Sequence, residues 1–164
     1  MKKLGFGCMR LPLTNPEEPT SVDLKQFCEM IDTFMDNGFT YFDTAYPYHQ
    51  KQSELFVKKA LVERYPRNSF TLADKLPVPF MKVKEDAKRI FDEQLEKCGV
   101  NYFDYYLLHS LNRNHYQTAL KFGCFDFIKK MKEEGKIREI GFSFHDTADI
   151  LDKILTKHPE MDFV

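Results

Sequence analysis

Four side chains along this sequence have types that can act on one another: Asp43, Tyr48, Lys75 and His109. A carbonyl that accepts a hydride develops oxyanion character and needs a proton. A phenol such as Tyr48 can give one, although its ordinary pKa of ~10 makes it a reluctant acid at neutral pH. An ammonium beside it favours the phenolate and makes the proton easier to release. Lys75 has that charge, and Asp43 can pair with it, keep it charged and fix its position. His109 can hydrogen-bond a carbonyl oxygen and orient it. Positioned acid catalysis of this kind typically supplies ~10²–10⁴ in rate. Taken singly, each residue has a plainer reading. An Asp at a strand end is often a turn or cap, Tyr46 competes with Tyr48, a lone Lys is usually a solvated charge, and a lone His is usually a satisfied hydrogen-bonder.

Their placement is what unites them. Short apolar segments alternate with longer stretches of helical periodicity. Leu4–Met9 reads as a first strand, followed by a Pro-rich loop to Thr20. Ser21 is the expected cap of a helix whose apolar face runs Leu24, Phe27, Cys28, Ile31, Phe34 and Met35, with Gly38 as its stop. Phe39–Asp43 is the second strand, and Ser53 the expected cap of a helix carrying Phe56, Val57, Ala60 and Leu61 and ending before Pro66. Ser69–Lys75 is the third strand. Ala87, Ile90, Phe91, Gln94, Leu95 and Cys98 mark the third helix, and Asp104–His109 the fourth strand. Phe125, Ile128 and Met131 mark a fourth helix, Ile137–Ser143 a fifth strand, and Ile150, Leu151, Ile154 and Leu155 a fifth helix stopped at Pro159. A sixth strand begins at Met161–Val164. Asp43, Lys75 and His109 therefore end three consecutive strands, with Tyr48 in the loop after the first of them.

Such alternation argues a parallel sheet built by right-handed crossovers, in one domain spanning residues 1–164. Two α/β architectures accept it. A closed (β/α)8 barrel needs ~250 residues, so pattern and length alone favour an open doubly wound sheet. Composition narrows the function classes. With 43% hydrophobic and 30% charged residues over 164 positions, the chain is of ordinary globular type. Its net charge of −1, with Lys and Arg dispersed, leaves no footprint for nucleic acid or an anionic membrane. No apolar run is long enough to span a bilayer, and the N-terminus lacks a cleavage site, which reads as cytoplasmic. Cys8, Cys28, Cys98 and Cys124 fit neither zinc nor cluster spacing and are expected to be reduced, so no metal is expected.

The motifs change the choice of architecture. Leu4-Gly5-Phe6-Gly7-Cys8-Met9-Arg10-Leu11-Pro12 resembles the first barrel strand of aldo-keto reductases. Phe42-Asp43-Thr44-Ala45 followed by Tyr48 and then Ser53-Glu54 is similar to the family's second strand and the helix after it. Asp74-Lys75-Leu76-Pro77 resembles its lysine strand, Asp104-Tyr105-Tyr106-Leu107-Leu108-His109 its histidine strand, and Gly135-Lys136-Ile137-Arg138-Glu139-Ile140-Gly141-Phe142-Ser143 its fifth. The resemblance implies a (β/α)8 TIM barrel, here incomplete, of about five β/α units plus the start of strand six. It implies NAD(P)H-dependent reduction of an aldehyde or ketone, with Asp43, Tyr48, Lys75 and His109 as catalytic tetrad and Tyr48 as proton donor. It places Gly7, Cys8, Met9, Asp43 and Ser143 against the nicotinamide of NADP or NAD. Many members carry Asn after that serine. Phe144 and His145 follow it here, and His145 is the candidate substitute for the missing amide. Phe144-His145-Asp146 resembles a bacterial branch whose longer members carry an iron-sulphur cluster, for which this chain has no ligand pattern.

The resemblance also implies cofactor-phosphate loops after strands seven and eight, which these residues do not include. The chain ends inside an apolar strand, an unusual domain boundary that suggests truncation. An open barrel leaves two sheet edges and an inner face uncovered. Three functions compete: a carbonyl reductase acting on small molecules, a non-enzymatic binding or regulatory barrel, and an inert piece that self-associates to bury its edges, or is marginally stable, and binds NADPH weakly or not at all.

Overall fold

The structure, a computed structural model, describes residues 3–164. Five strands pair wholly in parallel and in chain order: β1 (Gly5–Gly7), β2 (Tyr41–Asp43), β3 (Thr71–Leu76), β4 (Phe103–Leu111) and β5 (Ile137–Phe144). The crossovers carry α1 (Leu24–Asp36), α2 (Ser53–Val57), α3 (Asp86–Cys98), α4 (Arg113–Lys121) and α5 (Cys124–Glu133), and α6 (Ala148–Lys157) follows β5. That order decides between the two architectures. A doubly wound sheet reverses its strand order at a switch point. This sheet never reverses, so right-handed crossovers put every helix on one side, as in a barrel wall. The open doubly wound sheet favoured by alternation and length is overturned by this topology.

Strand alternation sorts the side chains onto two faces. Phe6, Phe42, Leu72, Tyr106, Leu108, Ile140 and Phe142 face the helices and belong to the core or pack against it. The high phenylalanine content finds its use here. Phe6 lies 5.7 Å from Phe42 and 5.5 Å from Phe34, ring centre to ring centre, in a cluster that welds β1 and β2 to α1. The opposite face carries Tyr41 and Tyr105, edge to face at 5.3 Å, with Phe163 at 5.4 Å from Tyr105. Two glycines make that face possible. A Cβ on Gly5 would sit 2.7 Å from the Tyr41 ring, and one on Gly141 would sit 2.4 Å from the Phe163 carbonyl. The sixth strand is present only as a parallel bridge from Phe163 to Gly141. It is held by Asp162, whose carboxylate accepts from the Ile140 amide at 2.8 Å and from Lys132.

At the start of the strands, Asp104 is buried between two guanidinium groups, Arg67 at 2.6 Å and Arg138 at 2.9 Å, and also accepts from the Leu72 amide at 2.9 Å. Both guanidinium groups stack on Tyr102, at 4.0 and 4.5 Å from the ring centre. The cluster ties the N-terminal ends of β3, β4 and β5 together.

Several local expectations are corrected. The cap of α1 is Asp23, which accepts from the Gln26 amide, while Ser21 closes a turn onto Asn15 and Glu18. Ser53 is the first residue of α2 and offers no cap bond. Its hydroxyl is buried against Thr44 at 2.9 Å instead. Helix α4 was not expected at all. Only Tyr116 and Ala119 are buried along it, too narrow a stripe to show as periodicity, although Asn112 caps it. Leu155, assigned to the buried face of α6, is 40% exposed. Among the described residues no helix is long and apolar enough to cross a membrane. The four cysteines are free thiols, with Cys8, Cys98 and Cys124 buried.

Candidate active site

The C-terminal rim of the sheet gathers the chemistry because register and alternation put it there. Gly7 pairs with Asp43, Asp43 with Ala73, and Lys75, two residues further along, with Leu107. His109 lies two beyond Leu107, so Asp43, Lys75 and His109 share the face that points away from the helices. Between Leu108 and Leu111 the β4–β5 ladder shifts register. Ser110 there has a φ of 61°, a left-handed conformation that a non-glycine residue seldom adopts. The bulge ends the regular pairing beside His109 and turns the chain into the loop before α4.

Lys75 is 5% exposed and its ammonium has two acceptors: Asp43 Oδ1 at 2.5 Å and the Thr44 carbonyl at 2.7 Å. The ammonium also lies 5.1 Å from the centre of the Tyr48 ring. Tyr48 in turn meets His109 edge to face, with ring centres 6.0 Å apart. The structure thus brings all four sequence-nominated side chains into one continuous cluster. Among the described residues, neither the Tyr48 hydroxyl nor the His109 ring is engaged in a hydrogen bond, so both are available to a ligand.

Electrostatics assigns protonation. Burial, then the Lys75 ammonium, then His145 and His115 push the His109 imidazole down to about 4. It is neutral near pH 7, with one ring nitrogen to donate and one to accept. Behind the rim, burial holds the Asp74 carboxyl well above the usual carboxylate range, with Glu54 adding to the effect. Asp74 accepts from the Lys75 amide at 2.8 Å and from the Cys98 thiol at 3.7 Å.

The nominated cofactor residues divide into three kinds. Gly7 and Met9 are exposed at the end of β1, and a Cβ on Gly7 would meet nothing within 4 Å. Cys8 is fully buried, and burial and the nearby Asp43 push its thiol up, so the side chain faces the core as a neutral group. Ser143 is half-buried at the end of β5, where its Oγ accepts from the Ser110 amide at 2.7 Å and keeps its own proton to donate. His145 is exposed and anchored by its backbone N–H to the Leu111 carbonyl at 2.8 Å. Among the described residues no group of three or more His, Cys, Asp or Glu side chains could hold a metal ion.

Sequence reasoning missed the support behind Tyr48 and Lys75. Gln94, fully buried on α3, donates to the Lys75 carbonyl at 3.1 Å and to Glu54 at 3.0 Å, and accepts from the Tyr106 hydroxyl at 2.5 Å. Glu54 is paired with Lys97, whose ammonium also donates to the Lys51 carbonyl at 2.6 Å. A polar Gln in the middle of the apolar stripe of α3 was the available signal, since buried amides must be satisfied.

Comparison with known proteins identifies the family. Residues 3–164 match the model of the aldo/keto reductase family. The chain is 30% identical over 155 residues to a probable aldo-keto reductase of Glycine max, covering 87% of this chain and 41% of that protein. An aldo-keto reductase from Bacillus halodurans in its holo form superposes with a TM-score of 0.73 at 26% identity, over 99% of this chain and 51% of that one. One from Klebsiella pneumoniae in complex with NADPH gives 0.68 at 26% identity, over 90% and 47%. The chain therefore spans between 41% and 51% of the length of these relatives.

Proposed function

This chain belongs to the aldo/keto reductase family, and from that premise we propose that its rim reduces the carbonyl of an aldehyde or ketone, with Tyr48 giving the proton. The observation that carries the proposal is the unbroken run of contacts from Asp43 to Lys75, Tyr48 and His109. Asp43 and the Thr44 carbonyl hold the Lys75 ammonium in place. The ammonium stabilises negative charge on the Tyr48 oxygen as its proton leaves. His109, held neutral, has no imidazolium proton to spend near pH 7. It serves as the hydrogen-bond partner that orients the carbonyl, which leaves Tyr48 as the acid.

The cofactor is NADPH, as in the Klebsiella pneumoniae relative, and when bound it supplies the hydride. The residues present fit its nicotinamide end. Gly7 leaves open space beside Asp43, Met9 is accessible, and the Ser143 hydroxyl retains a donor. Cys8 can contribute only through its main chain. The test is purified protein containing this chain, mixed with NADPH and a panel of aldehydes and ketones. Loss of the reduced-nicotinamide absorbance that requires a carbonyl compound supports the proposal. Cofactor binding with no carbonyl-dependent oxidation across the panel contradicts it and favours the binding-protein alternative.

A second property of the 164 residues taken alone has its own observation. β1 lies at a sheet edge, and beside it Phe6, Met30, Phe34 and Phe39 line a groove of about 460 Å³. An uncovered edge with an apolar flank recruits a partner, and a second copy offers the same surfaces. Self-association in light scattering, with weak NADPH affinity, is the expected behaviour. A stable monomer with micromolar affinity is the contrary one.

A further inference from the structure

Tyr48 is followed by three residues, His49, Gln50 and Lys51, whose backbones all lie in the left-handed region, with φ of 49°, 52° and 68°. None is a glycine. Such a run persists only where its surroundings over-determine it. Two pins hold it. At the far end, the Lys51 carbonyl accepts from Lys97, whose ammonium is paired with the buried Glu54. At the near end, the His49 ring reaches out of the turn to the loop between β1 and α1. The Leu11 amide donates to Nε2 at 3.3 Å, so that nitrogen carries the lone pair. The ring proton therefore sits on Nδ1, which donates to the Pro19 carbonyl at 2.8 Å. One imidazole thus bridges Leu11, two residues after Met9, and the residue next to Tyr48.

We propose that His49 is a positioning residue that locks the β1–α1 loop to the Tyr48 turn, so that the proton donor and the cofactor-facing end of β1 hold a fixed relation. The proposal rests on the reading of Tyr48 as acid and of Gly7 to Met9 as the nicotinamide border. A ring that merely occupies the surface while Lys97 holds the turn would make the same backbone and do nothing. The two cases differ in what the ring's hydrogen bonds support on both sides of the bridge.

His49→Gly separates them when read in residues 9–13, because glycine adopts a φ of 49° without strain and its added backbone freedom acts on the turn, whereas the β1–α1 loop loses only the ring's bonds. Hydrogen exchange by mass spectrometry on the full chain reads the amides of residues 9–13 and 46–53. The Leu11 amide loses its acceptor directly, and the Gln52 and Ser53 amides close the turn onto the His49 and Tyr48 carbonyls. Exchange about tenfold faster in both segments, with β3 and β4 unchanged, is the expected result. His49→Gln, which can still donate and accept, restores part of the protection. In turnover, His49→Gly lowers kcat about tenfold and leaves KM for the carbonyl unchanged. Unchanged exchange in either segment, or a uniform rise across the chain, overturns the proposal. Exchange needs no turnover, so its failure removes the clamp alone. A fully active Tyr48→Phe enzyme would remove the acid and leave the exchange result standing.

Discussion

Two ionic clusters sit at opposite ends of the same sheet and are built for opposite purposes. At the N-terminal end, Asp104 is saturated. Each carboxylate oxygen has its own guanidinium, one also takes the Leu72 amide, and both arginines stack on Tyr102. At the C-terminal rim, Asp43 and Lys75 are paired, but the Tyr48 hydroxyl and the His109 ring beside them are left for something else to meet. The backbone differs in the same sense. The rim holds four non-glycine residues at positive φ, His49, Gln50, Lys51 and Ser110, the only such residues among those described. A cluster with every valence filled stabilises the fold. A cluster with open valences, on strained backbone, is where the proposed reaction would take its ligand. In a barrel that division falls where it should, with stability at the bottom of the strands and chemistry at their C-terminal ends.

The comparison breaks most visibly at Asp104. Asp104→Ala leaves Arg67 without its carboxylate in a largely buried setting and frees the Leu72 amide. It should cost about 3 kcal/mol in denaturant unfolding, the lower end for a broken buried pair. Asp43→Asn at the rim should cost less, because Asp43 is itself 25% exposed where Asp104 is 3% exposed, and the amide keeps an oxygen acceptor for Lys75. Equal losses at the two positions would erase the distinction between them.

The next effect is a pH dependence that belongs to the rim. An ordinary histidine titrates near 6.5, whereas His109 is held down to about 4. Above the first value both folded and unfolded chains keep it neutral, and it contributes nothing to the slope. Between the two, only the unfolded chain takes up the proton, so stability falls as pH is lowered, and it levels off below the second. With allowance for partial exposure, the loss is about 1–2 kcal/mol. His109→Gln should flatten that part of the difference curve. A variant whose stability tracks the parent from pH 7 to pH 4 would mean that the ring is solvated.

The smallest effect sharpens the boundary of the rim. Asn112 Oδ1 accepts from the Asn114 and His115 amides and starts α4 directly after the bulge that carries His109. Asn112→Ala should cost about 1 kcal/mol. It should also loosen His115, whose Nδ1 meets the Ser110 carbonyl at 2.6 Å. Thermal unfolding checks the first part, and the imidazole resonances of His109 and His115 check the second.

What was legible in the sequence follows from range. Asp43, Lys75 and His109 could be placed because each ends an apolar run, and strand periodicity is a local signal. The fold family rested on motifs, since alternation and length alone pointed to the wrong sheet. The clamp of His49 on Leu11 and the bonds of Gln94 to Glu54 and Lys75 join residues 38, 40 and 19 positions apart. No local pattern announces such pairs. The left-handed run after Tyr48 was invisible for a related reason, because its residues are His, Gln and Lys where such backbone usually advertises itself with glycine.

The central claim is that the open valences of the rim do the chemistry, and Tyr48→Phe tests it most directly. Removing one oxygen deletes the proposed proton donor and leaves the ring between Lys75 and His109. Steady-state reduction of a carbonyl by NADPH, measured beside thermal unfolding, should show kcat lower by ~10²–10⁴ with stability within about 0.5 kcal/mol of the parent. Near-full turnover in that variant would contradict the account, and would move the proton donor elsewhere on the rim.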